Sequence, residues 1–220
     1  MSREVHAGFW EGLGVRFPRA THRNIYVRSE RPGKRVMETI EGFLWKRLKL
    51  KVNRQKSAVA RPQQRQFLGF SFTSNRWLKI KLADKALKKV KHRVKKITRR
   101  SRGVGLSQVV KELNTFLRGW LGYFRLIETP TIIKDLDSWI RRRLRCYMMK
   151  QWIKNCHTRY QRLRSLGVSG KGACGIAVSR KGPWALSNAK PVKVALSNRF
   201  FAEKGLLFLL DQYELKATTT

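Results

Sequence analysis

From residue 83 onward, apolar residues recur three and four positions apart. They fall at Ala83, Ala86, Leu87, Val90, Val94 and Ile97, the period of a helix with one buried face. Asp84 sits in the first turn, where the helix dipole favours a negative charge. The segment SRGVG (101–105) breaks the pattern. A second helix is predicted from Ser107 as cap, with Val110, Leu113, Leu117, Trp120, Leu121 and Phe124 on its inner face. After Pro130 a third set, Leu136, Trp139, Ile140, Leu144, Tyr147 and Met148, predicts a helix from about Thr131 to about Asn155. At about 1.5 Å per residue it would be roughly 36 Å long. Three such helices with short connections predict a bundle.

Upstream the period is different. NIYVRS (24–29) reads as a strand, followed by a helix over 31–48 with Pro32 in its first turn and Val36, Met37 and Ile40 buried. LKLKVN (48–53) alternates apolar and basic residues and reads as a second strand. RQFLGFSFTSN (65–75) and WLKIKL (77–82) read as two more strands, joined as a hairpin through a short Ser-Asn turn. After Tyr160 the chain turns rich in Gly and Ser, and ALSNAK, PVKVALSNRFFAEKG and LLFLLDQYEL then read as two or three short helical pieces before a frayed KATTT end. The fold class is therefore α+β. Residues 1–23 show no periodicity, 24–82 hold a few antiparallel strands and one helix, 83–165 an all-α three-helix bundle, and 166–220 a small helical region.

Charge changes the picture most. Fifty Lys and Arg face 13 Asp and Glu, for a net charge of +37. A chain so one-sided works against its own repulsion, and a polyanion relieves it. Nucleic acid is the first candidate partner, since Lys and Arg displace the counterions held by phosphates. An anionic membrane surface comes second, although no apolar run approaches the ~18 residues a membrane span needs. Hydrophobic residues make up 42% of the chain, enough to build a core. The N-terminus MSREVHAGFW has no apolar stretch of the signal-peptide kind. Three cysteines with no C-x-x-C pair fit a reduced cytosolic protein, and the adjacent Cys156 and His157 are wrongly spaced for a zinc finger.

Four stretches are candidates for function. In Lys85–Arg100 nine of sixteen residues are Lys or Arg and none is acidic. An ordinary solvated face mixes signs, so this one favours phosphate contact through Lys88, Lys89, Lys95, Lys96, Arg99 and Arg100. WIRRRLRCYMMKQWIK (139–154) surrounds an apolar seam with Arg141, Arg142, Arg143, Arg145, Lys150 and Lys154, while Trp139 and Trp152 are expected in the core. Arginine forks onto phosphates and stacks on bases. No helix-turn-helix, zinc-finger or zipper pattern occurs, which favours structured RNA over duplex DNA. LNTFLRGWLGYFR (113–125) carries Gly119 and Gly122 inside a helix. Close packing against a neighbouring helix is the expected reason, and close approach to RNA beside Arg118 and Arg125 the alternative. In LKVNRQKSAV (50–59), Asn53 and Lys56 sit at a strand end, where a turn residue and a surface lysine explain them as well.

Taken in order, these stretches resemble the C-terminal part of a group II intron reverse transcriptase, or maturase. NIYVRSERPGKRVMETI resembles the palm segment after the catalytic turn. LKLKVNRQKSAV with QFLGFSF resembles the last two conserved reverse-transcriptase blocks. LNTFLRGWLGYFR and LDSWIRRRLRCYMMKQWIK resemble the thumb, or maturase X domain, and GPWALSN with VALSNRFFAEKGL the tail of bacterial members. The resemblance covers about residues 24–214. It implies a partial palm over 24–82 and a thumb/X domain over 83–165. It also implies group II intron RNA as the partner, with a DNA target as a further partner and dimers among family members. A bacterial, cytoplasmic setting follows. Asn53 and Lys56 align near the family's template–primer site, and Lys88, Lys89, Lys95, Lys96, Arg99, Arg100, Arg118, Arg141, Arg142, Arg145 and Lys150 would contact intron RNA.

The sequence departs from the family at one place. The family sets a Tyr-Ala-Asp-Asp turn right before the strand that NIYVRS resembles, and this chain has Ala20, Thr21, His22 and Arg23 there. Two-metal phosphoryl transfer needs carboxylates to hold Mg²⁺, the ion of the intact family. No catalytic residue and no metal ligand is therefore assigned, and no cofactor is expected on this chain. The departure implies a truncated or frame-shifted member in which residues 1–20 are foreign. Three readings follow: an RNA-binding maturase remnant that helps the intron splice, a reverse transcriptase active only with its missing parts supplied, or an inert polycation. As an enzyme the chain stays unassigned.

Overall fold

Helix α1 (Glu30–Leu48) begins as the sequence predicts, with Pro32 in its first turn, in the computed structural model, which describes residues 25–54, 57–74, 77–152 and 155–217. It closes at Lys49, whose φ of 55° is left-handed, while Leu50 N–H donates to the Leu44 carbonyl at 3.0 Å. The strands expected on either side of it do not form. Residues 25–29 carry no strand, and Ile25, Tyr26 and Val27 are exposed; Asn24 lies outside the described residues. Residues 49–53 are irregular. Val36, Met37 and Ile40 are half-buried, and Gly33 is the one buried residue of α1. A strand exists only when a neighbour pairs its N–H and C=O groups, and no described segment lies alongside to do so.

The hairpin does form, shorter than its apolar pattern. After a 3₁₀ turn at Pro62–Gln64, strand β1 (Phe70–Phe72) pairs antiparallel with β2 (Ile80–Leu82), placing Phe70 opposite Leu82 and Phe72 opposite Ile80. The connection spans 73–79 and is wider than a Ser-Asn turn; Thr73 N–H donates to the Lys79 carbonyl, and Lys79 N–H to Thr73 Oγ1. Two strands alone are marginal, so the helices hold them. Ile80 N–H donates to Glu128 Oε2 at 2.6 Å, Glu128 N–H returns to the Ile80 carbonyl at 2.8 Å, and Tyr123 O–H donates to the Leu68 carbonyl. Gly69 has a φ of +84°, and a Cβ there would meet the Phe124 ring at 2.9 Å. Glycine is what allows β1 to lie against that ring.

The helical region follows as α2 (Asp84–Ile97), α3 (Leu106–Tyr123), α4 (Pro130–Gln151) and α5 (Cys156–Ser165). Ser107 is not the cap of α3, because Gly105 holds that position with no side-chain bond. The third predicted helix stops at Gln151 instead of running to Asn155. Asn155 instead accepts from Thr158 N–H at 2.6 Å and starts α5, a helix the periodicity did not announce. The rest of the chain forms α6 (Gly170–Ala177), α7 (Pro183–Leu186), α8 (Lys190–Ala195), α9 (Asn198–Glu203) and α10 (Leu209–Ala217). The Gly-rich stretch is thus partly helical. PVKVALSNRFFAEKG, expected as one piece, divides where Ser197 Oγ accepts from Phe200 N–H.

One apolar cluster runs through this whole region. Val90, Val94, Leu113, Leu117, Leu121, Ile133, Leu136, Ile140, Leu144 and Tyr147 pack with Leu163, Ala173, Val192, Phe201 and Leu209. Burying a side chain of this size contributes roughly 1.5–3 kcal/mol. Polar bonds place the C-terminal helices on it. Asn114 receives Leu207 N–H and donates to the Gly205 carbonyl. Asp137, only 4% exposed, accepts from Leu209 N–H at 3.0 Å and Leu210 N–H at 2.9 Å, the first amides of α10. Burial pushes this carboxyl up, against the pull of those two amides and of Arg141.

Three buried or half-buried arginines close helix ends in the same way. Arg143 Nε donates to Thr98 Oγ1, and its Nη2 to the Thr98 and Lys95 carbonyls at the end of α2. Arg145 Nε donates to the Ser187 carbonyl at 3.1 Å and Nη1 to the Leu196 carbonyl at 3.5 Å. Arg159 Nη1 reaches the Ile176, Ala177 and Ser179 carbonyls at the end of α6.

Replacing Asp137→Ala leaves two amides without their acceptor. It is expected to cost about 2–4 kcal/mol, read as a lower midpoint in chemical denaturation, with α10 exchanging its amide hydrogens faster than α3. A second expectation concerns acid. Arg102 grips Glu112 through two bonds of 2.8 Å and holds its carboxyl below the usual range. The folded state therefore releases that proton more readily than the unfolded one. The pair's contribution is present above the unfolded value of about 4.3 and is lost as pH falls through the lower folded one. Glu112→Gln should flatten the loss of stability between about pH 5 and pH 3, by a small amount because solvent screens this partly exposed pair. Equal slopes for both proteins would refute it.

Candidate nucleic-acid interface

The inner face of α2 is set by Ala86, Val90, Val94 and Ile97 with Leu87 beside them, which turns the lysines at 88, 89, 95 and 96 outward. Lys88 and Lys95 form one row, and Lys89 and Lys96 a second, each spaced seven residues or about two turns apart. Arg99 and Arg100 extend the face past the helix end. All six are exposed, and among the described residues none of them forms an ion pair. A run of one-signed, unpaired cations at this density attracts a polyanion along its length.

Arg143 joins this face to α4 through its bonds at the end of α2. Arg100 and Arg143 both approach the buried Cys146 thiol. Burial pushes that thiol up, and the two guanidiniums draw it part of the way back. The α4 arginines then divide. Arg142 stacks on Trp184 at 4.0 Å, and Arg141 lies over Phe208 at 5.5 Å, both half-exposed. Lys150 is exposed. Arg145 departs from its expected role as a surface contact. It is 8% exposed, and two of its nitrogens are committed to carbonyls, so its first task is to tie α4 to α7 and α8. Trp152 is buried as expected, whereas Trp139 is half-buried at the edge of the core with Lys91 Nζ 5.9 Å from its ring centre.

On α3 the expected helix–helix packing at the glycines is overturned. A Cβ at Gly119 or Gly122 would meet nothing within 4 Å. Both lie on the solvent side, out of phase with Leu113, Leu117 and Leu121, and leave bare helix backbone beside the exposed Arg118 and Arg125. Asn53 is exposed on the irregular stretch after α1, and Lys56 lies outside the described residues.

The sequence reading missed two cations. Lys193 on α8 and Arg199 on α9 come to the same open cleft as Arg141 and Arg145. They lie on helices too short to show a period, so only their spacing around Ser197 and Asn198 could have flagged them.

Residues 20–23 lie outside the described residues, and their sequence, Ala-Thr-His-Arg, offers no carboxylate to Mg²⁺. Among the described residues no three His, Cys, Asp or Glu side chains gather as a metal site would require. No helix of the described residues is long and apolar enough to cross a membrane.

Comparison with known proteins bears on the helical region. The family model described as "Group II intron, maturase-specific domain" matches residues 87–167. Comparison with curated proteins gives no match. The match begins in the first turn of α2 and ends two residues past α5, so it contains the exposed lysine rows, the arginine-rich α4 and the core between them. Helices α2 to α5 thus coincide with the stretch that is similar to a group II intron maturase-specific domain.

Proposed function

We propose that the chain binds group II intron RNA through the α2 face and the adjoining end of α4, and helps that RNA reach its splicing-competent fold. The observation that carries this reading is the row of unpaired lysines inside the maturase-specific match. Such a surface supplies phosphate contacts and register, and the RNA itself supplies the reacting groups. Arg118 beside the bare backbone of Gly119 and Gly122 gives a second approach, since a helix without side chains there lets a strand come close. In this reading 83–165 is the thumb and X domain of a reverse-transcriptase lineage, and 24–82 the remnant of its palm. A DNA target and self-association belong to the same proposal.

Replacing Lys88, Lys89, Lys95 and Lys96 together by Gln is expected to weaken intron RNA binding at least about 100-fold near 0.1 M salt and to flatten the plot of log affinity against log salt by about 3. The substitutions touch no core residue and remove like charges, so the unfolding temperature should stay level or rise. Wild-type protein should also prefer the intron over a scrambled RNA of equal length at high salt. If the two RNAs bind alike at every salt concentration, the protein is a polycation without recognition.

Polymerisation is absent from the proposal because the chain offers no carboxylate where the lineage holds its metal ions. Primer extension by the purified chain with Mg²⁺ and all four deoxynucleotides is expected to give no product above a no-protein control. Extended primer would overturn that part.

A further inference from the structure

The open cleft between α4 and the C-terminal helices has a composition unlike the α2 face. It encloses about 560 Å³. Its cations come from two parts of the chain: Arg141 and Arg145 from within the maturase-specific match, Lys193 and Arg199 from beyond it. Ser138, Ser197 and Asn198 supply the uncharged polar groups of the lining, and no acidic residue is among the lining residues.

Three of these groups, Arg145, Arg141 and Ser197, are held in place by contacts within the fold, which distinguishes the cleft from a charged surface. Arg145 is held by its bonds to the Ser187 and Leu196 carbonyls, and its Nη2 has no protein acceptor among the described residues. Arg141 is held against the Phe208 ring. Ser197 is fixed by accepting Phe200 N–H, which leaves its own hydroxyl hydrogen to donate. Two acids lie near, and both are engaged: Asp137 by the amides of α10, and Glu203 by Arg199 Nε at 2.9 Å on the exposed rim. An arginine fixed in advance loses little freedom on meeting an oxyanion, and its planar fork suits phosphate oxygens.

We propose that this cleft is a discrete phosphate-binding site that takes one backbone phosphate of an RNA strand, with Arg145 as its floor and Lys193 and Arg199 as its rim. The site rests on the RNA-binding reading above but adds the C-terminal helices to the interface. An open cleft with cations on both walls admits a continuous strand, whereas a free ion would be better held in an enclosed one.

The test uses the full chain and the double variant Lys193→Gln, Arg199→Gln, both exposed residues whose replacement leaves the core intact. Inorganic phosphate is titrated against chloride at matched ionic strength, and the unfolding midpoint is read. Phosphate should raise the midpoint of the wild type more than that of the variant. Equal responses would mean that phosphate acts on the surface at large, and the pocket would be refuted. A short single-stranded oligoribonucleotide is then titrated at fixed salt. The variant should bind it about 10-fold more weakly, with a salt slope shallower by about 1 to 1.5, or about 0.7 for each lost contact. If phosphate discriminates the two proteins while the oligonucleotide does not, the site holds free phosphate and the strand assignment falls. If the oligonucleotide discriminates them but intron and scrambled RNA bind alike, the cleft stands and intron selectivity falls.

Discussion

The structure depends on arginines that donate inward to carbonyl groups. A helix ends with carbonyls that have no partner in the helix and with the negative end of its dipole. In a chain with 50 cations and 13 acids, the plentiful group to place there is a guanidinium. Arg143 closes α2, Arg159 closes α6, and Arg145 ties the ends of α7 and α8 to the middle of α4. Each brings a charge out of bulk water without a carboxylate to neutralise it. Burial lowers the proton affinity of Arg143 and Arg145, the direction expected when a cation loses solvent. The arrangement holds because a guanidinium presents several donors in a plane and stays charged regardless. Lysine, with one ammonium on a flexible stem, could not reach two carbonyls of different helices at once.

That internal use of arginine explains the division of labour on the surface. Lysines crowd the outer face of α2, where nothing needs to be oriented, and arginines gather on α4, where the chain folds back on itself. Few acids remain to neutralise either, and those present are largely committed: Glu112 to Arg102, Glu128 to the hairpin, Asp137 to α10. The exposed cations are thus left for an external anion. The cation–π contacts of Arg141 and Arg142 with Phe208 and Trp184 hold two guanidiniums at the surface without discharging them.

The sequence revealed the helices whose apolar period was long and uninterrupted. The inner faces of α2, α3 and α4 lie where Val90, Leu113, Leu117, Leu136 and Leu144 place them, because a stripe of that length has one way to be buried. Legibility failed where structure is decided by bonds at one residue. Asn155 restarts a helix, Ser197 divides another, and neither changes the apolar period. It failed again at the strands, where the alternation of 25–29 and 48–53 meets no partner among the described residues along which to pair. On the candidate interface, the lysine rows of α2 could be read because exposure follows from the period. Arg145 could not, since its role is set by the carbonyls of Ser187 and Leu196, some forty to fifty residues away in sequence. The glycines of α3 misled for a related reason: a missing side chain shows that something needs room, or that nothing is there, and only the neighbours decide between the two.

If the chain binds RNA as proposed, folding and binding are coupled through the same charge. Bringing α2 and α4 together concentrates cations that the unfolded chain keeps apart, so repulsion works against the apolar cluster that drives the bundle shut. A bound strand would replace that repulsion with attraction, and would favour the assembled face over the open chain. By mass action the folded state then gains RT ln(1 + [L]/Kd), about 2.7 kcal/mol at a hundredfold excess of ligand over Kd. The C-terminal helices would share in this gain, because they close on the same core through Phe201, Val192 and Leu209 and bring Lys193 and Arg199 to the cleft beside Arg141 and Arg145. A phosphate held between Arg145 and those two residues would bridge α4 to α8 and α9, adding to the contact that the Leu196 carbonyl already makes. Intron RNA would then act on this protein as a structural component as well as a ligand, drawing together helices whose charges would otherwise hold them apart.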